Sequence, residues 1–256
     1  MRALRFAWIA ALAPLLCAQA VNINDLIATQ CKQIEAADFR ATGHLVSIDA
    51  AGVRLSFPIT IKARWLTGVL HVWVEIGQPP SVHRDMREQI LLEMRPNGEN
   101  TIRVADPGDT AARIVPFDSW SLHPLGPGFN YEDFLEQQYF WPRQASEGQA
   151  KFGARNCDVI RSTPGESDRT HYAEVKTWVD PSIGFSVYVE KTVKDSGAVK
   201  EFTSFGLRHD EGMWSAHQIE VRTRGQAGST LLIIDRGSAK AKLGIADFNP
   251  AQLTRF

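Results

Sequence analysis

From Arg54 to Trp65 the chain alternates without a break. Leu55, Phe57, Ile59, Ile61, Ala63 and Trp65 hold one phase, and Arg54, Ser56, Pro58, Thr60, Lys62 and Arg64 hold the other. Successive side chains of a strand point to opposite faces, so this stretch predicts a long strand with one apolar and one wet face. An antiparallel sheet with only one face covered is the natural setting for it. Pro58 lacks the N–H that a ladder needs, which puts the strand near an edge or distorts it locally.

Turn signals follow at intervals of about a dozen residues, the spacing of an all-β meander. Asp49-Ala50-Ala51-Gly52, Gly68, Pro96-Asn97-Gly98, Asp195-Ser196-Gly197, Asp210-Glu211-Gly212 and Gly225 to Gly228 each separate two strand-like runs. Together they predict nine to twelve strands, more than an open sheet holds without curling. Helical spacing occurs twice. Asn22 can cap a helix whose apolar stripe is Ile23, Leu26, Ile27, Cys31 and Ile34. Asn130 can cap a short helix to Gln137, with Glu132 and Asp133 in its first turn and Pro and Gly residues isolating it. The expected class is therefore mainly β (α+β): a large curled antiparallel sheet or half-open barrel, an N-terminal helix, and a short mid-chain helix that could act as a lid.

The first twenty residues read as an address. Arg2 and Arg5 precede an apolar run from Phe6 to Cys17, and Ala18-Gln19-Ala20 supplies a small-x-small cleavage site. The run is shorter than the roughly 20 residues a membrane-spanning helix needs. Cleavage after Ala20 would leave one domain, 21–256, exported to the periplasm. Losing Arg2 and Arg5 would take the formal charge from −1 to −3, with Cys31 and Cys157 remaining in an oxidising compartment. A Cys31–Cys157 bridge and a pair of buried free thiols are both compatible with the sequence.

No catalytic motif emerges. The seven histidines form no His-Glu-x-x-His and no i, i+4 pair on a helix, so no metal site is expected. Gly126-Pro127-Gly128-Phe129-Asn130-Tyr131 has Tyr131 where a dinucleotide loop needs its third glycine. There is no Gly-x-Ser-x-Gly elbow. Pairs such as Glu132 and Asp133, or Asp106 and Asp109, are what a hydrolase uses, but they also suit helix first turns and solvated loops. A near-neutral chain has no basic excess for nucleic acid. What remains in surplus is aromatic and apolar surface, enough to fill a core or to line a cavity.

Several short motifs then resemble the outer-membrane lipoprotein-sorting family, the LolA-like proteins. Gly153-Ala154-Arg155-Asn156-Cys157-Asp158-Val159-Ile160 resembles that family's glycine-to-cysteine strand. Tyr172 to Asp180, with Trp178-Val179-Asp180, resembles its Trp-Ile/Val-Asp strand end. Asp195 to Lys200 is similar to its Gly-Lys hairpin, Gly212-Met213-Trp214 to its Gly-x-Trp turn, and Phe129 to Phe134 to its Phe-Ser-Tyr-Glu-Asp-Leu element. Ser215-Ala216 and Phe185 depart from it, standing where relatives often have proline. The resemblance implies a half-open barrel that carries lipoprotein acyl chains across the periplasm. It implies no enzyme activity and no cofactor, a monomer, and release and acceptor proteins at the inner and outer membranes as partners. The expected lining is Leu55, Phe57, Ile59, Ile61 and Trp65 from the long strand, with Trp73, Phe134 and Leu135. The alternative on the same fold is a binding or envelope-sensing module that ferries nothing and works through its edges and loops.

Overall fold

In the computed structural model, residues 22–256 are described, apart from 84, 97, 123 and 124. The Met1–Ala20 segment, with the expected cleavage site, lies outside the described residues, as do His123 and Pro124. Thirteen strands form one antiparallel sheet. The first six run as a meander: β1 (Asp38–Ile48), β2 (Arg54–Leu66), β3 (Val69–Ile76), β4 (Glu88–Met94), β5 (Thr101–Ala105) and β6 (Arg113–Ile114). The chain then leaves for the far edge and returns as a second meander: β7 (Arg143–Phe152), β8 (Arg155–Thr163), β9 (Tyr172–Asp180), β10 (Phe185–Val193), β11 (Val199–Asp210), β12 (Met213–Thr223) and β13 (Ser229–Ser238). β13 pairs with β1, so the two meanders meet at a seam in mid-sheet while β6 and β7 stay at opposite edges. The sheet curls but does not close, and its thirteen strands exceed the expected nine to twelve because edge strands such as β6 and β7 carry little apolar alternation.

The register at the seam slips between Thr42 and Gly43. A Cβ on Gly43 would run into the Ile233 carbonyl oxygen, so only glycine lets the strands approach this closely. The long alternating stretch is β2, an interior strand rather than an edge one. Pro58 is tolerated because the β2–β3 ladder stops at Ile59↔Ile76, and its carbonyl still accepts from Gly77 N–H at 2.7 Å.

α1 (Ile23–Glu35) begins at Asn22, whose side chain accepts from the Asn24 N–H at 3.1 Å. Leu26 packs with Ile160 and Val179, and Ile34 joins the main core. Gln30 is buried within the apolar stripe because its Nε2 donates to the Gly184 carbonyl at 2.8 Å, joined there by Gln33 Nε2 at 3.0 Å. The helix is thus tied to the β9–β10 turn on the inner face of the sheet.

Cys31 and Cys157 are unbonded in this structure. The reason lies in the faces. Ile160 meets α1 on the inner side, and Cys157, an odd number of positions away along the same strand, points to the outer side. Cys31 sits on α1, with its Sγ 3.5 Å from the Tyr139 carbonyl.

Residues 115–142 connect the two edges by crossing the inner face. Trp120, Leu125, Phe129, Tyr131, Leu135, Tyr139 and Trp141 are buried there against the inward phases of β2 to β5. The short helix expected from Asn130 to Gln137 takes the form of two 3-10 turns, Tyr131–Phe134 and Gln137–Phe140, separated by extended backbone at Leu135. A continuous helix would leave one face outward, whereas this segment is packed from several sides. On the outer face Trp73, Leu91 and Ala105 are covered by Phe248 and Leu253 from the C-terminal turns.

Candidate ligand cavity

Between α1, the crossing segment and the inner faces of both meanders lies a cavity of about 430 Å³. α1 and the first meander contribute Ile34, Phe39, Ile61, Leu70 and Val72. The second meander contributes Val189, Phe202, Ile219, Leu232 and Ile234, and the crossing segment adds Phe129 and Phe134. Each strand residue in this set occupies the inward phase of its strand, so the lining is the apolar alternation of two meanders brought face to face. Exposed Arg40, Arg208, Asp210 and Glu211 gather at the open end, where Glu211 Oε2 accepts from Ser238 Oγ at 3.1 Å and from Ala239 N–H at 2.6 Å.

One wall is polar and buried. Lys191 and Lys200 stand directly opposite each other on β10 and β11, an arrangement that repels by itself. Asp133 of the crossing segment resolves it. Its carboxylate accepts from Lys191 Nζ at 3.3 Å, from Lys200 Nζ, from the Tyr172 hydroxyl at 2.5 Å and from the Asn130 N–H at 3.0 Å. All three charged side chains are at most 6% exposed. Burial works to raise the Asp133 pKa, but Lys200 and Lys191 outweigh it and hold the carboxyl below its usual range. Burial also lowers the Lys200 pKa, against the pull of Asp133.

Glu132 faces the other way. Its carboxylate accepts from Thr170 Oγ1, from Gln137 Nε2 at 3.0 Å and from the His171 N–H, with the His171 ring 3.0 Å away. The adjacent acids Glu132 and Asp133 therefore diverge, and each staples the crossing segment to a different part of the sheet. Glu136 is different again. It lines the cavity as a solvent-exposed residue; desolvation by the protein packed around it raises its pKa, and Lys191 opposes that rise.

Of the expected lining residues, Ile61 and Phe134 border the cavity. Phe57 and Ile59 share the inner phase of β2 but are packed in the main core, with Leu55 partly buried against it. Leu135, within the crossing segment, is buried in the main core, and Trp65 stacks on Phe140 at 5.9 Å between centroids. Trp73 faces the outer side, because it alternates with the inward Val72 and Val74. The walls from α1 and β10 to β13 were absent from the expectation. Their signal was present: Val187, Val189 and Lys191 share one phase of β10, and Lys200 and Phe202 share one phase of β11. A lysine in phase with buried valines marks a special site.

Comparisons with known proteins agree with this geometry. A family model described only as that of an uncharacterized protein matches residues 119–255, just over half of the chain. The chain belongs to that family. No curated protein sequence matches it. Among solved structures, a domain with a proposed role in outer membrane lipoprotein sorting from Vibrio parahaemolyticus superposes with a TM-score of 0.79 at 20% identity, covering 91% of this chain and all of that one. A DUF1329 family protein from Desulfovibrio piger gives a TM-score of 0.75 at 16% identity, over 90% of this chain and 96% of its own. A LolA superfamily protein from Nitrosomonas europaea gives 0.63 at 14% identity, over 90% and 98%. The fold of this family member is the LolA-like fold of lipoprotein-sorting domains. Among the described residues no helix is long and apolar enough to cross a membrane, and no group of metal-ligating side chains converges.

Proposed function

We propose that the protein is a non-enzymatic carrier that shelters acyl chains, those of lipoproteins foremost, on their way through the periplasm to the outer membrane. The observation that carries this reading is the cavity of about 430 Å³ with walls from both meanders and the crossing segment. Its volume lies in the range of small-ligand sites, roughly 300–1,000 Å³, where a filled core would have left nothing. Burying about 14 methylene groups at ~0.8 kcal/mol each could supply about 11 kcal/mol before any reordering cost, ample for a carrier. The signal-like Met1–Ala20 segment, with cleavage after Ala20, fits delivery of a monomeric carrier to that compartment, where inner-membrane release and outer-membrane acceptor proteins would be its partners. The crossing segment is the element that would shift to admit and release a chain.

Native mass spectrometry of the purified protein, with displacement of an acyl fluorophore, tests this. Co-purified lipid and saturable displacement are expected. Neither appearing would leave the sensing-module alternative, in which edges and loops do the work.

A further inference from the structure

We infer that the cavity accepts an acyl ligand with an acidic head group, a carboxylate or a phosphate ester, and that Lys191 pairs with that head. This rests on the carrier reading and narrows its ligand. A cavity serving hydrocarbon alone has no use for charge in its wall, because each buried ion costs free energy unless it is paired. Here the wall holds two ammonium groups, both clamped by Asp133, and a second acid, Glu136, that makes no hydrogen bond to either among the described residues.

The two lysines are not equivalent. Lys200 donates to Asp133 and also to the Tyr172 hydroxyl at 3.0 Å, so it is committed to holding the crossing segment. Lys191 lines the cavity, and its one hydrogen-bond partner among the described residues is Asp133, at 3.3 Å. An ammonium has three donors. The remaining neighbours of Nζ are the faces of Tyr172 and Phe202, 5.1 and 4.7 Å from the ring centroids, which attract a cation without accepting a conventional hydrogen bond. Donor capacity is left for a ligand oxygen. The same two lysines oppose a cationic head.

Glu136 stands across from this role. It lines the same cavity with no hydrogen-bond partner among the described residues, and its ionised form would repel an anion placed beside Lys191. It would act as a brake on affinity for the acid.

The test compares oleate, oleoyl lysophosphatidate and methyl oleate on the full mature chain and on Lys191→Met and Glu136→Gln. At least one acid is expected to bind about tenfold or more tightly than the ester, a difference of about 1.4 kcal/mol. The acid-to-ester ratio is expected to fall toward one in Lys191→Met and to rise in Glu136→Gln. A purely structural role for either residue would move acid and ester together. Which acid is favoured separates a carboxylate from a phosphate source. Equal binding of acids and ester, with a ratio unmoved by Glu136→Gln, overturns the inference and leaves the carrier intact. No binding of any of the three overturns both. If Lys191→Met fails to fold, the ratio in Glu136→Gln decides alone.

Discussion

Glu88 is a buried acid whose carboxyl accepts from the Tyr131 hydroxyl at 2.5 Å, fixing the crossing segment to β4. Burial pushes its pKa up to about 7 from the ordinary 4.5, and this outweighs the Tyr131 hydrogen bond, which favours the ionised form. A carboxyl with a raised folded pKa binds its proton more tightly in the native state. Its contribution is fully present below the unfolded value and is lost as pH rises through 7. Wild-type stability relative to Glu88→Gln should therefore fall between about pH 5 and pH 8, by a few kcal/mol at most, while Gln keeps an acceptor for Tyr131. Urea unfolding of both proteins across that range is the measurement; parallel curves would contradict it. Asp133→Asn should cost about 3–5 kcal/mol in the same assay, because Lys191 and Lys200 would face each other without a counter-charge. The thiols give a simpler check. Burial raises the pKa of both Cys31 and Cys157, so native protein should react slowly with a thiol reagent and unfolded, unreduced protein should show both groups.

Among the elements, the β1–β13 seam is where the strand ladders of the two meanders join. Gly43→Ala should prise it apart locally, with a loss above about 2 kcal/mol, since the added methyl meets backbone rather than a movable side chain. Hydrogen exchange at β1 and β13 amides would report the damage ahead of other strands. Legibility varied by element for physical reasons. β2 and β10 each bury one face and repeat with a period of two, so they can be read directly, whereas β3 buries both faces and reads as a continuous apolar run. β7 runs Arg-Gln-Ala-Ser-Glu-Gly-Gln-Ala-Lys-Phe at the sheet edge with both faces largely wet, and such a strand leaves no pattern. β6 is two exposed residues and was equally invisible. The 3-10 turns carry a helix signature in the sequence because Asn130 and Asp133 supply an N-terminal signal, while their wrapping by the sheet is a tertiary fact.

For the whole molecule, the curled sheet followed from strand number and alternation, but the cavity did not. Which inward residues pack solidly and which stand back depends on where residues 115–142 cross, and no local pattern records that path. Hence Ile61 and Phe134 border the cavity, while their neighbours Ile59 and Leu135, equally expected there, belong to the core. Ala63 borders the cavity and is buried. Ala63→Phe should fill part of the space and weaken acyl-fluorophore binding by about tenfold or more, with unfolding free energy changed far less than a comparable insertion in a packed core would change it. Calorimetry beside the fluorescence titration separates loss of volume from loss of fold.

The seam has a further consequence in time. It joins residues 40–48 to residues 229–238, so the central ladder of the sheet pairs segments from near the two ends of the described chain. Closing such a contact carries a loop-closure cost that grows with its separation along the chain, and neither meander can hide its inner edge before then. A nascent chain would hold two half-sheets with open edges until its last long strand arrived. Folding as one unit after the whole polypeptide is available, at a rate typical of high-contact-order β proteins, is what this connectivity dictates.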